Sequence, residues 1–432
     1  MLKNYFKTAY RTLLKNKVFS LLNIFGLAIG MAACFFIFQY VHFEQSYDRF
    51  NKNAANLYRV TISYSGSFSN LGMMATNHPA VGPAMRAEFP EVVNYARVVD
   101  PSLFISSSAI SYKDRTGNLT TFSEGKMYIA DSTFFTMFSF PLIRGNAATV
   151  LSQPNVIVIS QTAADKYFGK EDPVGKTVYL NQRMPFTISG VFKDIPENSH
   201  IKFDMLISFK TIDNDGMMAG NWTWPEFYNY VQLAPGADPK KTEAKFPAFI
   251  NKHLADILRQ YSFGCAFHLQ RVTDIHLKSA YLKEAEVNGS EKEIYFLTLI
   301  GIFILTIAWI NYINLSTAKS AERAKEVGLR KVVGGRRLQL IGQFITESVI
   351  INLFALILAA LIVLCCYPFF GSFVVKNMGS IFSAAGLMQS PAFWLILSGI
   401  FLTGAFLVGA YPAFILSGFN PVQVLKGKFS RS

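Results

Sequence analysis

Four stretches of this chain are long and apolar enough to cross a lipid bilayer, and no other feature restricts its fold as much. A helix needs about 20 consecutive, mostly apolar residues to span the hydrocarbon. Residues 18–41, 294–316, 341–370 and 393–419 each reach that length. Composition agrees. Of 432 residues, 51% are hydrophobic, 40 are Phe and only 16% are charged, against a usual ~25% in soluble domains. A disordered chain and an ordinary cytosolic enzyme are both excluded. The first stretch is too long for a cleaved leader, and no small-residue cleavage site precedes His42-Phe43-Glu44. It reads as a retained span.

The net charge of +13 is confined to three short segments. Residues 1–17 carry Lys3, Lys7, Arg11, Lys15 and Lys17, for +5. Residues 319–337 carry seven Lys/Arg against Glu322 and Glu326, again +5, and the tail adds +3 through Lys426, Lys428 and Arg431. Residues 42–293 are neutral, with 25 basic and 25 acidic side chains. Short basic segments stay on the cytoplasmic side. Both termini are therefore expected inside, with the large neutral region and the short 371–392 loop outside. The excess charge is a topology signal, not a nucleic-acid footprint. Cys34, Cys365 and Cys366 fall in spans and Cys265 stands alone in the outer region. The outer domain is thus expected to hold together without a disulfide.

Lys3, Lys7, Arg11 and Lys15 recur every four residues opposite Leu2, Phe6, Ala9 and Leu13. That pattern predicts an amphipathic helix over 1–17, lying among anionic lipid headgroups. The inner loop, 317–340, is helical in composition, and Glu326 can pair with Arg330 at i,i+4. Gly334-Gly335 breaks the pattern before the third span. Apolar Val327, Leu329, Val332 and Val333 on so charged a loop point to a docking surface for a cytoplasmic partner.

The segment AERAKEVGLRKVVGGRRLQLIGQFITES (321–348) resembles the inner loop and third span of MacB/FtsX-type ABC transporter permeases. LLKNKVFSLLNIFGLAIGMA and FEQSYDRFNKNAANLYRV resemble the start of such permeases from Bacteroidetes-type bacteria, and the resemblance covers essentially the whole chain. It implies an α-helical membrane protein of the bacterial inner membrane. Four transmembrane helices are expected, plus a large extracytoplasmic, porter-like α/β domain with a mostly β insertion. The expected boundaries are an inner helix 1–17, spans 18–41, 294–316, 341–370 and 393–419, an outer domain 42–293 and a tail 420–432. Within the outer domain, a core at about 55–100 and 226–280 encloses an insertion at about 101–225.

The residues of the outer domain give the same pattern. A strand over 57–64, a helix over 79–89 and a strand over 91–99 form one β-α-β unit. A strand over 227–233, a helix over 240–258 and a strand over 266–277 form a second. The insertion alternates turns with short strands, as at 155–160, 177–180 and 185–192.

Chemistry-bearing motifs are sparse. Gly169 to Thr177 imitates a phosphate-binding loop, but it has five residues between its glycines where four are required, and Pro173 removes a backbone donor. His42, His78, His200, His253, His268 and His276 show no metal-ligand spacing. Asp194, Glu197 and His200 share one turn whose composition suits turn chemistry better than acid/base catalysis. No nucleotide-binding signature is present, so no cofactor is expected on this chain and ATP is expected on a partner.

The resemblance implies a non-catalytic permease subunit, coupled to a separate ABC ATPase through Glu326, Val327, Gly328, Leu329, Arg330, Lys331, Val332 and Val333, with Glu347 as a structural coupling residue. It implies paired permeases, since the family works with paired ATPases and paired permeases; the second is a second copy or, because the ending 411–428 is similar to the midpoint of duplicated permeases, a second half. Export of a peptide, antibiotic or lipid-like substrate, with a periplasmic adaptor and an outer-membrane channel, is one expectation. A regulatory subunit that controls an outer hydrolase and transports nothing is the alternative.

Overall fold

The computed structural model describes residues 11, 15, 17–105, 109–113, 119–123, 126–213, 215–318, 329, 332–333, 337–374 and 391–418. The chain divides into two compact units, Met1–His42 with Lys292–Ser432, and Phe43–Glu291. The interfacial helix expected over 1–17 lies outside the described residues except at Arg11, Lys15 and Lys17. So do most of the outer loop and the tail.

The first unit is built of long helices, Lys17–Gln45, Glu291–Ala318, Arg337–Val374 and Pro391–Gly418. In hydrocarbon every backbone donor and acceptor must be satisfied within its own segment, which a helix does. Among the described residues three helices are long and apolar enough to cross a membrane: Lys17–Gln45, Glu291–Ala318 and Leu338–Tyr367 within Arg337–Val374. In Pro391–Gly418 the apolar stretch so described is shorter, Ser398–Leu407. Phe296, Leu299, Phe303, Ile307 and Ile310 form an exposed stripe along one helix. Such a stripe is at home in lipid and costly in water, since each such side chain gains ~1.5–3 kcal/mol on leaving it.

The helices meet through small residues, as helices do where lipid removes the hydrophobic drive to associate. A Cβ on Gly30 would lie 2.9 Å from the Cβ of Ala308, and one on Gly301 3.3 Å from Ile37. Leu27, Ala28, Met31, Leu305, Ile351, Ala355 and Ala359 fill the space between them. Threonines in these apolar segments need an acceptor. Thr298, Thr306, Thr317 and Thr346 each donate to the carbonyl four residues earlier, at 2.7–2.8 Å.

The second unit is a single mixed sheet with helices. Its strands are β1 Leu57–Gly66, β2 Met73–Met74, β3 Val92–Val99, β4 Ala109–Lys113, β5 Leu119–Ser123, β6 Met127–Ala130 and β7 Leu142–Arg144. They continue with β8 Val156–Ser160, β9 Thr177–Leu180, β10 Met184–Phe192, β11 Met205–Ser208, β12 Tyr228–Leu233 and β13 Phe263–Arg271. The order is β13-β1-β12-β3-β6-β11-β8-β10-β9-β4-β5, with β2 on β1 and β7 on β10. Strands β13, β1, β12 and β3, from 57–99 and 228–271, thus lie side by side. The pairing of Val98 with Ala130 and Val99 with Ile129 carries the same sheet into the 101–225 region. Among the described strand–strand pairings β6–β11 and β8–β10 are parallel, and Met74 makes a further isolated parallel bridge to Leu282.

Alternation along β1 places Tyr58, Val60 and Ile62 against Met85, Phe249, Ile250 and Leu254. These last belong to the helices Val81–Glu88 and Phe246–Gln260. The opposite face of β1 carries Arg59, fully buried and in bidentate contact with Glu284 at 2.6 and 2.8 Å. Gln270 and Ser279 also accept from its Nη2, at 2.7 and 3.1 Å. A second buried guanidinium, Arg97, grips Asp131 through two nitrogens at 2.9 Å. It also lies 3.8 Å over the ring of Phe209. Burial pulls the Arg97 pKa down, but the Asp131 carboxylate outweighs it and holds the value above its ordinary level.

Two sequence expectations are corrected. The strand expected over 266–277 begins at Phe263 and ends at Arg271, and Val272–Asp274 and Ile275–Lys278 turn helical. Val272 and Ile275 are drawn into a core of Leu57, Phe134, Phe138 and Tyr230, which strand alternation could not serve. The helix expected over 240–258 is two helices, Pro239–Glu243 and Phe246–Gln260. Pro247 has no N–H to continue the first and sits comfortably in the opening turn of the second.

Candidate functional site

The loop between the helices ending at Ala318 and beginning at Arg337 holds the eight candidate docking residues. Glu326, Val327, Gly328, Arg330 and Lys331 lie outside the described residues. Leu329, Val332 and Val333 are described. Leu329 and Val332 are helical, and the amide of Val333 donates to the carbonyl of Leu329 at 3.1 Å. An i, i+3, i+4 spacing puts the three side chains on one face. That face is bare, with exposures of 60%, 63% and 83%. Three aliphatic side chains held open on one turn can enter an apolar groove of another protein and can do little other chemistry.

Glu347 stands in the helix Arg337–Val374, buried at 5% exposure, and accepts a hydrogen bond from Nε2 of Gln343 at 3.1 Å. Ser348 meets the hydroxyl of Tyr312 from the neighbouring long helix at 3.3 Å, and Nδ2 of Asn352 donates to the Ser348 carbonyl at 2.9 Å. The helix Pro391–Gly418 comes to the same place with two glycines. A Cβ at Gly409 would lie 3.2 Å from Ser348, and one at Gly404 3.4 Å from Asn352 and 2.9 Å from Trp309. Three helices therefore close on a polar row formed by Gln343, Glu347, Ser348 and Asn352. Sequence reading singled out Glu347 alone. The four-residue spacing of Gln343, Glu347 and Ser348, Asn352 within an apolar run was the available signal.

The outer unit accounts for the remaining candidates. In the loop that imitates a phosphate site, the ammonium of Lys176 is paired with Glu171 and lies 4.8 Å over the ring of Phe168. Asp172 accepts from the amide of Val174 and pairs with Arg144. Both contacts, the amide first, hold its carboxyl below the usual range. Gly169 and Gly175 serve turn geometry at φ +59° and +83°. The loop leads into β9.

Asp194 accepts from the amide and hydroxyl of Thr162 at 3.0 and 2.9 Å, and Glu197 pairs with Lys202 at 2.8 Å. His200 is buried elsewhere. Its Nδ1 is 2.8 Å from Asp48 and its Nε2 is 2.8 Å from the hydroxyl of Tyr230. With the carboxylate as acceptor, Nδ1 carries the proton and Nε2 accepts from the phenol. Burial pushes the phenol far above its ordinary value and keeps it a donor. Both ring nitrogens are thus used internally, and no group of this trio is open to a substrate.

His276 faces Glu44 at 2.6 Å and stacks on Tyr47, with ring centroids 3.3 Å apart. His253 meets Glu88 at 2.6 Å and stacks on Trp222, and His268 meets Ser63 at 3.0 Å. Burial lowers the His78 pKa to about 4, so it is neutral at physiological pH. Burial likewise pushes the Cys265 thiol up to about 11. Among the described residues no three His, Cys, Asp or Glu side chains are grouped to hold a metal ion.

Residues 20–249 match the family described as MacB-like periplasmic core domain, and residues 298–421 match that described as FtsX-like permease C-terminal. Among similar proteins, an uncharacterized ABC transporter permease, YvrN of Bacillus subtilis (strain 168), is 23% identical over 97% of this chain and 98% of its own. A macrolide export ATP-binding/permease protein, MacB of Chlorobium luteolum (strain DSM 273 / BCRC 81028 / 2530), is 23% identical over 97% of this chain, which spans 59% of that relative's length. Of solved structures, the periplasmic region of MacB from Actinobacillus actinomycetemcomitans is similar over 51% of this chain and 91% of its own, at 16% identity and a TM-score of 0.34.

Proposed function

The chain belongs to the MacB/FtsX-type ABC transporter permeases, and on that premise we propose that it turns ATP hydrolysis in a separate cytoplasmic ATPase into movement of its outer domain. The observation that carries the reading is the bare apolar face of Leu329, Val332 and Val333 on a strongly basic loop. Its MacB relatives are named as ATP-binding/permease proteins, which supports an ATPase as the partner. Four spans enclose this arrangement, the fourth within Pro391–Gly418, a helix of 28 residues. Both termini face the cytoplasm of a bacterial inner membrane, because the basic segments flank the spans on that side. The substrate class is a peptide, antibiotic or lipid-like molecule, and the working unit contains two permeases.

Docked in a groove, each of the three side chains would contribute ~1.5–3 kcal/mol if fully buried. The test is affinity purification of the tagged chain from its own bacterium in mild detergent. Recovery of an ABC ATPase with the wild type, and its loss with Val327→Asp/Leu329→Asp at equal membrane levels, supports the reading. Recovery of the ATPase at wild-type yield with the double variant would remove the loop from the interface.

A further inference from the structure

We propose that Glu44, His276 and Gly289 form a joint through which movement of the first two spans enters the outer domain, with His276 as its positioning residue. The inference rests on the proposed function and names the place where its coupling is made. All three residues lie within the outer unit, Phe43–Glu291.

Glu44 is the penultimate residue of the helix Lys17–Gln45, so it is covalently continuous with the first span. At 1.5 Å per residue the 29 residues of that helix extend about 43 Å, beyond the ~30 Å of hydrocarbon. Its end therefore stands clear of the lipid. There Glu44 is buried, and its Oε2 lies 2.6 Å from Nε2 of His276. His276 belongs to the short helix Ile275–Lys278, which follows β13. Its neighbour Ile275 is built into the core around Phe138 and Tyr230. The imidazole is clamped from one side by Tyr47, stacked at 3°.

Gly289 closes the arrangement. It stands two residues before the helix Glu291–Ala318, the second span. A Cβ there would lie 2.6 Å from Oε2 of Glu44, 2.9 Å from Nε2 of His276 and 3.2 Å from Leu277. No L side chain fits that approach without moving the pair. The residues leading to it are fastened too. Glu284 holds Arg59, Nδ2 of Asn288 donates to the Ser279 carbonyl at 3.0 Å, and Leu282 exchanges backbone bonds with Met73 and Ala75 at 2.9 Å. The end of one span, the start of the next and a core-anchored imidazole thus share one contact. A displacement of either helix end is delivered to His276 first, and through its short helix to the core.

The experiment uses the full chain with its ATPase in liposomes. Trp309 and Trp394 are replaced by Phe, leaving Trp222 and Trp224 in the outer unit as fluorescent reporters. Wild type should change emission on ATP addition. Gly289→Ala and His276→Ala should reduce that change about ten-fold, an ordinary loss for one coupling contact, while ATPase binding stays near wild type at a temperature where both variants remain folded. His276→Gln, which keeps a donor toward Glu44, should restore part of the response. Val287→Ala, at a 94% exposed position in the same connecting segment, should keep it. Wild-type amplitude in both Gly289→Ala and His276→Ala would overturn the joint. A wild type that binds its ATPase and shows no nucleotide response would overturn the transmission reading itself, and the joint with it.

Discussion

The carboxylate of Asp48 lies 2.8 Å from Nδ1 of His200, 152 positions later, and solvent reaches neither side chain. Asp48 also takes a left-handed backbone, φ +59°, at a cost of roughly 1–2 kcal/mol for a residue with a Cβ. Its amide donates to the Asn198 carbonyl at 2.9 Å and its carbonyl accepts from the amide of Asn51 at 3.2 Å. Asp48→Ala should leave the His200 donor buried and unpaired and destabilise the outer unit by roughly 1–3 kcal/mol. Asp48→Asn, which keeps an acceptor, should cost less. Urea unfolding of residues 43–291 checks both.

That fragment should fold by itself. It is charge-balanced, carries three packed cores and holds a single, half-buried cysteine. It should melt cooperatively with or without reductant. A fragment starting at residue 49 loses the partners of both His200 and His276 and should melt at lower temperature. A reductant-dependent transition, or equal melting of the two fragments, would contradict these boundaries.

His78 sets an acid limit. Its folded pKa is about 4 against an ordinary 6.5. Between those values the unfolded chain takes up a proton that the folded chain refuses, so stability is lost as pH falls from 6.5 toward 4. Glu88 has a lowered folded pKa, because Lys252 and His253 outweigh the upward push of burial. Its contribution is present above 4.5 and is lost only below it. The stability advantage of wild type over His78→Leu should therefore shrink by about 2–3 kcal/mol between pH 7 and pH 4.5. An advantage that does not change with pH would show that His78 is not held neutral by the fold.

The α/β character of the outer unit was legible wherever local pattern and final burial agree. LYRVTISY alternates, and its Tyr58, Val60 and Ile62 do share one buried face. The apolar spans were legible because hydrocarbon imposes helix on any long apolar run. Two elements were misread where a single residue overrode the pattern, Pro247 at a helix start and Val272 at a strand end. His200 was read with its sequence neighbours Asp194 and Glu197, yet its partners Asp48 and Tyr230 come from distant segments. No periodicity carries such pairings. The same is true of Glu44 with His276 and of Gly289, whose lack of a side chain gains meaning only beside them.

Membrane orientation is open to a direct check. A reporter fused after Ser432 should be active only in the cytoplasm, and one inserted at Gly236 only outside. Gly236 occupies an exposed turn at φ +81°. Gly289 would be a poor insertion site because it packs on Glu44 and His276. Both reporters active on the same side would rule out an odd number of spans between them, and with it the four-span arrangement, which places three there.

The most direct test of the account is the rate of ATP hydrolysis by the partner ATPase in liposomes, with and without this chain. Wild type should raise the rate above that of the ATPase alone. Leu329→Asp/Val332→Asp should return it to that baseline while the chain remains inserted and its outer unit folded, and Arg336→Ala should weaken stimulation less. Full stimulation by the double Asp variant would contradict the claim that this loop receives the work of the ATPase.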